Sequence, residues 1–446
     1  MKHIVVLAML AAGLLGLTTG VAAEREVVIA LCLFWVIAVL WLTETFHITV
    51  TALLIPLFAA GSGLLDVPDA LKNFANPIIF IFIGGFSLAG AMRVQGLDRW
   101  LADEILKLAR GRLDLALIML AGTTGLLSMW INNTALTALM LPLVLGLLSQ
   151  RDTMPQRTQT FGLLAIAYSA NIGGIGTLVG SAPNAIVAAQ LGMTFVDWLK
   201  VGLPVALLLW PLMMLVLWRM LKPDFLDNRV DTSAASSFVW TRSRRLLVAI
   251  FAVTVCGWLL GQYLADWLGI AANMDTLVAL SAMVLVAVTR VASWEQLERS
   301  IDWGVVMLFG GGLTLSEVLK STGASVYLGG SLAHFTLGWE AVFVLLAVVT
   351  FVIFLTEFTS NTATTALLVP VFLAMPASLV EPGVLALAVG VCSSCAFMLP
   401  VATPPNALVH GTHQLQPGAM KQVGLVLNLS GIVMLTGVFT LYLALT

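Results

Sequence analysis

Charge is what this chain has least of. Only 10% of its 446 residues are charged, 60% are hydrophobic, and mean hydropathy is +1.01. Soluble globular domains carry roughly 25% charged residues, so a soluble fold is excluded. A net charge of −2 leaves no basic footprint for nucleic acid. Cysteine is scarce as well: Cys32, Cys256, Cys392 and Cys395 all sit in apolar stretches. Cys392 and Cys395 have C-x-x-C spacing, but no second ligand pair accompanies them, so they read as packing residues. His-Glu-x-x-His and Gly-x-Ser-x-Gly are both missing, and no acid–base pair stands at membrane depth. That argues against an intramembrane enzyme. His410 and His413 have no acidic or Cys partner nearby that would make them metal ligands.

What remains is apolar sequence, enough for about a dozen helical spans of roughly 20 residues. The run from Ile4 to Val21 follows Lys2 and is long enough to span. Val21-Ala22-Ala23 before Glu24 has the form of a signal-peptidase site. We expect the run to be retained as a first helix. Single spans are expected over 245–265 and 301–319. Residues 97–112 mix Asp98, Arg99, Asp103, Glu104, Lys107 and Arg110 with apolar residues at helical spacing, as in an amphipathic helix lying at an interface.

Two apolar segments, 113–150 and 338–378, are too long for one span and too short for two with a loop. Each breaks at a repeated phrase. MWINNTALTALMLPLVL occupies 129–145 and EFTSNTATTALLVPVFL occupies 357–373. They share Asn133-Thr134-Ala135, Thr137 and Pro142 with Asn361-Thr362-Ala363, Thr365 and Pro370. Both segments read as re-entrant hairpins turning at Asn-Thr. Irregular backbone of that kind is tolerated at depth only where protein or a cavity surrounds it.

The repeat extends further. Gly84, Gly85, Leu88 and Gly96 of FIGGFSLAGAMRVQG match Gly311, Gly312, Leu315 and Gly323 of FGGGLTLSEVLKSTG. After each hairpin comes a helix interrupted by Gly or Pro, 168–187 and 390–409. Each ends in Pro-Asn-Ala, at Pro183-Asn184-Ala185 and Pro405-Asn406-Ala407. Interrupted helices at matching places in two halves point to a transporter binding site.

Charge placement gives the topology. With the N-terminus cytoplasmic and both hairpins returning to their own side, all but four of the 21 Lys and Arg lie inside. Arg25, Lys72, Lys200 and Lys320 lie outside. Arg110, Arg112 and Arg151 flank the first hairpin, so it enters from inside. Glu340 and Glu381 flank the second, so it enters from outside. The C-terminus ends outside. The fold class is therefore an all-α polytopic membrane protein with two opposed re-entrant hairpins in an inverted repeat.

The chemistry lies in four short polar strings. The hairpin tips carry Asn132, Asn133 and Thr134 after Ser128, and Ser360, Asn361 and Thr362 after Thr356. The helix breaks add Gly180, Ser181, Ala402, Thr403 and Pro404. Their oxygens suit a small cation, and the starts of half-helices suit an anion. Capping alone would explain the tips but not the matched strings at the breaks. No Lys or Arg falls near any of them, so a bound anion must be balanced by cations and dipoles. Glu44 and Glu357 are the carboxylates nearest membrane depth. We read each as an interfacial or hydrogen-bonded group that orients a helix rather than as a proton relay.

These motifs resemble those of the divalent anion/sodium symporters. The likeness runs from Trp41-Leu42-Thr43-Glu44 through LLSMWINNTALTALMLP, Ser169-Ala170-Asn171-Ile172-Gly173-Gly174 and TSNTATTALLVP to MLPVATPPNA. It implies a homodimer of eleven-span protomers in the bacterial inner membrane, with an elevator mechanism. Scaffold helices and an interfacial helix would occupy 1–112, and more scaffold 245–337. The transport domain would occupy 113–221 and 338–446, with a cytoplasmic linker over 222–244. It implies a first sodium among Ser128, Asn132, Asn133 and Gly180. A second would lie among Thr356, Thr359, Ser360, Asn361 and Ala402. Substrate would meet Asn132, Asn133, Thr134, Ser181, Ser360, Asn361, Thr362, Thr403 and Pro404. Two positions depart from the family: Asn132 stands where Ser is usual, and Ala182 where Pro or Gly is common. The expected function is sodium-coupled symport of small divalent anions, foremost four-carbon dicarboxylates. Dicarboxylate exchange and sulfate or citrate transport are the alternatives on the same fold.

Overall fold

The computed structural model describes residues 2–150, 154–225, 238–269, 273–376 and 380–445. Arg151, Arg229 and most of the expected linker lie outside them. Among the described residues there is helix and no strand. The first half holds α1 (Lys2–Gly20), α2 (Arg25–Thr43), α3 (Ile48–Gly61), α4 (Val67–Lys72) and α5 (Pro77–Gln95). It continues through α6 (Leu97–Leu108), α7 (Leu113–Ser128), α8 (Asn133–Leu148), α9 (Gln156–Gly173), α10 (Ala182–Leu191) and α11 (Phe195–Leu221). The second half holds α12 (Arg242–Leu259), α13 (Gly261–Leu268), α14 (Met274–Val288), α15 (Trp294–Ser300) and α16 (Trp303–Ser321). It ends with α17 (Ala324–Phe335), α18 (Ala341–Thr356), α19 (Asn361–Leu373), α20 (Pro382–Cys392), α21 (Pro404–His410) and α22 (Ala419–Leu445).

The halves pack into each other by a swapped rule. α3 lies against α16, and α14 lies against α5. The repeated glycines make both approaches close. A Cβ on Gly84 would stand 2.6 Å from Ala279 O, and one on Gly311 would stand 2.6 Å from Ala52 O. Small residues let helix backbones meet where the hydrophobic effect supplies no drive between helices.

Both hairpins form. α7 and α8 turn over 129–132, and α18 and α19 turn over 357–360. Their bases lie at opposite ends of the bundle. Thr160, near the start of α9, accepts from Gln416 N beyond the end of α21 at 2.7 Å. Gly383, at the start of α20, faces Leu191 at the end of α10. The two broken helices thus run antiparallel, and each hairpin base sits where its own broken helix begins.

The amphipathic segment is α6, with Leu97, Ala102 and Leu106 buried. Its Trp100 ring stacks on Phe238, 5.3 Å between centroids. One expected single span, 245–265, is instead bent, because α13 leaves α12 at 79°. The span expected over 301–319 is α16, which the short α15 precedes at 54°. The reason at α13 is its composition: Tyr263, Trp267 and Leu268 are all exposed on a polar-flanked turn, as suits an interfacial helix. By length and composition four described helices can cross a bilayer alone, or six if each bent pair is one span. The expected count of eleven is larger because it also counts the shorter apolar helices α1, α3 and α14 and the two broken helices, which are split. α1 packs on α2, where Trp35 Nε1 donates to Met9 O at 3.2 Å.

Candidate functional site

The two hairpin tips are built alike. In the first, the Ser128 hydroxyl reaches Asn133 Oδ1 at 2.7 Å and Ala170 O at 2.6 Å. In the second, the Thr356 hydroxyl reaches Asn361 Oδ1 at 2.7 Å and Ser393 O at 2.9 Å. One turn later Thr137 donates to Asn133 O and Thr365 to Asn361 O. A hydroxyl has one proton to give, so each tip holds three close oxygens and a single shared hydrogen.

The helix breaks are also alike. Asn184 Nδ2 donates to Gly174 O and Thr177 O, at 2.8 and 2.7 Å. Asn406 Nδ2 donates to Ala396 O and Leu399 O, both at 3.1 Å. Each amide satisfies carbonyls that the interruption frees, which unbonded would cost about 1–3 kcal/mol apiece. This is why Pro-Asn-Ala follows both breaks. Gly174 lies so near the first tip that a Cβ there would stand 2.8 Å from the Asn133 amide.

Tips and breaks meet in one cavity of about 870 Å³, a size suited to a small ligand. Asn132, Asn133, Thr134, Ser181, Ser360, Asn361, Thr362, Thr403 and Pro404 all line it, together with Gly180 and Ala402. The starts of α8, α10, α19 and α21 therefore all face it, bringing their partial positive charges together. Among the described residues no Lys or Arg lines it. Glu44, Phe46, His47 and Asp302 line its rim and are exposed, so it opens at the end where α2 joins α3.

Three expected cation-site residues lie behind this wall. Ser128 and Thr356 are fully buried and hydrogen-bonded to Asn133 and Asn361, which line the cavity. The Thr359 hydroxyl is engaged with Thr364 Oγ1 at 2.6 Å and Leu355 O at 3.0 Å. Asn132 is an N-cap: its Oδ1 accepts from Thr134 N at 3.0 Å and Ala135 N at 3.3 Å. Ser360, at the matching place, makes no side-chain cap bond, so the first N–H groups of α19 stay uncapped.

Glu357 is 1% exposed rather than interfacial. Its oxygens accept from Phe397 N at 2.7 Å, Met398 N at 2.9 Å, Leu399 N at 3.0 Å and Asn428 Nδ2 at 2.7 Å. It holds the second helix break, which is the helix-orienting role. Glu44 is exposed, in a left-handed turn ending α2. Sequence reasoning left Asn171 out of the site. It lines the cavity and reaches Thr403 Oγ1 at 3.1 Å. The signal was available, since an amide directly before a helix break in an apolar helix needs a partner.

Comparison with known proteins agrees with this architecture. The model of the citrate transporter family matches residues 38–390. An uncharacterized transporter of Haemophilus influenzae is 49% identical, over 91% of this chain and 89% of its own. The sodium-dependent dicarboxylate transporter SdcS of Staphylococcus saprophyticus is 30% identical, over 93% and 85%. The crystal structure of the Alcanivorax borkumensis YdaH transporter superposes with a TM-score of 0.62 over 90% of this chain and 99% of that one. At 15% identity it speaks for the fold alone. An all-helical chain whose polar groups converge on one cavity, with relatives that are transporters along nearly its whole length, is a membrane carrier rather than an enzyme, and it belongs to the citrate transporter family.

Proposed function

We propose that this carrier moves small dianions, foremost four-carbon dicarboxylates such as succinate, together with sodium across the bacterial inner membrane. One observation carries the reading: two Asn-Thr tips and four helix starts converge on a cavity that no Lys or Arg among the described residues lines. Helix starts attract an anion but do not neutralise a dianion, so bound cations must supply the balance. The oxygen triads at Ser128, Asn133 and Ala170 and at Thr356, Asn361 and Ser393 supply the ligands. We place the first sodium there with Asn132 and Gly180 beside it, and the second with Thr359, Ser360 and Ala402 beside it. SdcS, a relative, is named for both sodium and dicarboxylate.

The remaining assignments follow the same reading. Eleven spans and two re-entrant hairpins cross the bilayer, with the N-terminus cytoplasmic and the C-terminus outside. The cavity then opens inward. Residues 113–221 and 338–446 form the moving body of an elevator. Residues 1–112 and 245–337 form a dimeric scaffold, and 222–244 link the halves. Citrate is the second reading, favoured by the family model's own description and by a cavity with room for a six-carbon anion. Succinate uptake into proteoliposomes should collapse when sodium is replaced by choline at constant pH. Uptake that follows a proton gradient and ignores sodium would refute the cation assignment.

A further inference from the structure

Asn171 is 2% exposed and yet lines the cavity. It stands on α9 in the first half, and its amide crosses to the second. Nδ2 donates to Thr403 Oγ1 at 3.1 Å and to Asn406 Oδ1 at 3.3 Å. Thr403 Oγ1 in turn caps α21 by accepting from Asn406 N at 3.3 Å. Asn406 is the residue whose amide closes the second helix break. One side chain of the first half therefore holds both groups that shape the second break.

Its place in the chain ties it to the first tip. Asn171 follows Ala170, whose carbonyl accepts from Ser128, and Ser128 also holds Asn133. A return crossing exists. Ser394 follows Ser393, whose carbonyl accepts from Thr356, and Ser394 Oγ lies 3.4 Å from Ser181 Oγ. That contact is at the limit of a hydrogen bond between hydroxyls. It also stops short. Asn406 has its Oδ1 filled by Asn171, whereas the Oδ1 of its counterpart Asn184 is buried without a partner. The crossing is strong from first half to second and weak in return.

We propose that Asn171 is a positioning residue that makes the two half-sites respond as one. A cation held at Ser128 and Asn133 fixes the Ala170 carbonyl, and with it the next side chain. That side chain sets Thr403 against the substrate in the other half. This rests on the reading that cation and anion share the cavity. Alanine at 171 would leave Asn406 Oδ1 without its donor and free Thr403 to turn. Serine there would imitate Ser394 and fall short in the same way.

The test is succinate uptake by the full chain in proteoliposomes, titrated in succinate and in sodium. Wild type is compared with Asn171→Ala, Asn171→Ser and Ser394→Ala. Both Asn171 variants should raise the succinate KM by about tenfold, the factor expected for one lost buried hydrogen bond, with maximal rate changed less. They should also lower the sodium Hill coefficient towards one. Ser394→Ala should shift KM less than either. Asn171→Ser, if its unfolding temperature is near that of wild type, decides the matter should Asn171→Ala misfold. A folded Asn171→Ser with wild-type KM and Hill coefficient overturns the proposal. So does a fall in maximal rate alone, or a larger effect from Ser394→Ala. A wild type that carries succinate without sodium refutes the sodium reading separately, and the KM comparison still judges Asn171.

Discussion

In the first half of the site, the interrupted helix is held by neutral groups. Thr177 donates its hydroxyl to Met129 O, Trp198 Nε1 donates to Ile175 O at 2.9 Å, and Asn184 gathers the remaining carbonyls. In the second half a carboxylate does this work, because Glu357 takes the place that Met129 holds in the repeat. It gathers three successive N–H groups and the Asn428 amide. The tips differ too. Asn132 caps α8, whereas Ser360 leaves α19 uncapped. Two copies of one plan thus reach the same cavity with different chemistry. The copy with free N–H groups is the better seat for an anionic group, and the copy capped by an amide offers side-chain donors instead.

The largest expected effect breaks the comparison at its support. Glu357→Ala strands three backbone donors and the Asn428 amide, and should cost roughly 3 kcal/mol or more of stability. Thr177→Val, at the corresponding break, should cost only about 1 kcal/mol. Thermal unfolding of purified protein checks both. Equal losses would mean that the carboxylate is no more than another hydrogen bond.

Next come the tip amides. Asn133→Ala and Asn361→Ala each remove one of the two acceptors of a fully buried hydroxyl, Ser128 or Thr356, and with it an oxygen of the tip's triad. Each should cut uptake at least tenfold or so while the protein stays folded by gel filtration. Near-normal uptake in either would reduce that Asn to a helix cap. A loss in one alone would mean that only one half-site operates.

The smallest effects sharpen the difference between tips. Asn and Ser cap helices about equally well, so Asn132→Ser should leave stability within about 0.5 kcal/mol. It should still alter the ranking of succinate against citrate, because it removes an amide donor that lines the cavity. Ser360→Asn should weaken substrate affinity, since a new cap would compete for the open N–H groups of α19. Unchanged substrate profiles in both would make the tips interchangeable.

Much of this plan was legible in the sequence. The hairpins expected over 113–150 and 338–378 appear as Leu113–Leu148 and Ala341–Leu373, each turning at its Asn-Thr phrase. The cavity-lining residues of the tips and breaks could be named because the repeat marks them twice. Missing were the contacts between halves. Glu357 finds Asn428 across 71 residues, and Asn171 finds Thr403 across 232. No local period records such pairs. The bend at Leu260 was also hidden, because an apolar run looks alike whether it continues across the membrane or turns along its surface.

The central claim is that bound sodium, rather than a basic side chain, balances the anion. Calorimetric titration of succinate into the purified carrier, without any membrane gradient, tests it most directly. The account predicts binding in sodium buffer and none in choline buffer of equal ionic strength. Succinate binding of equal affinity in both would contradict it.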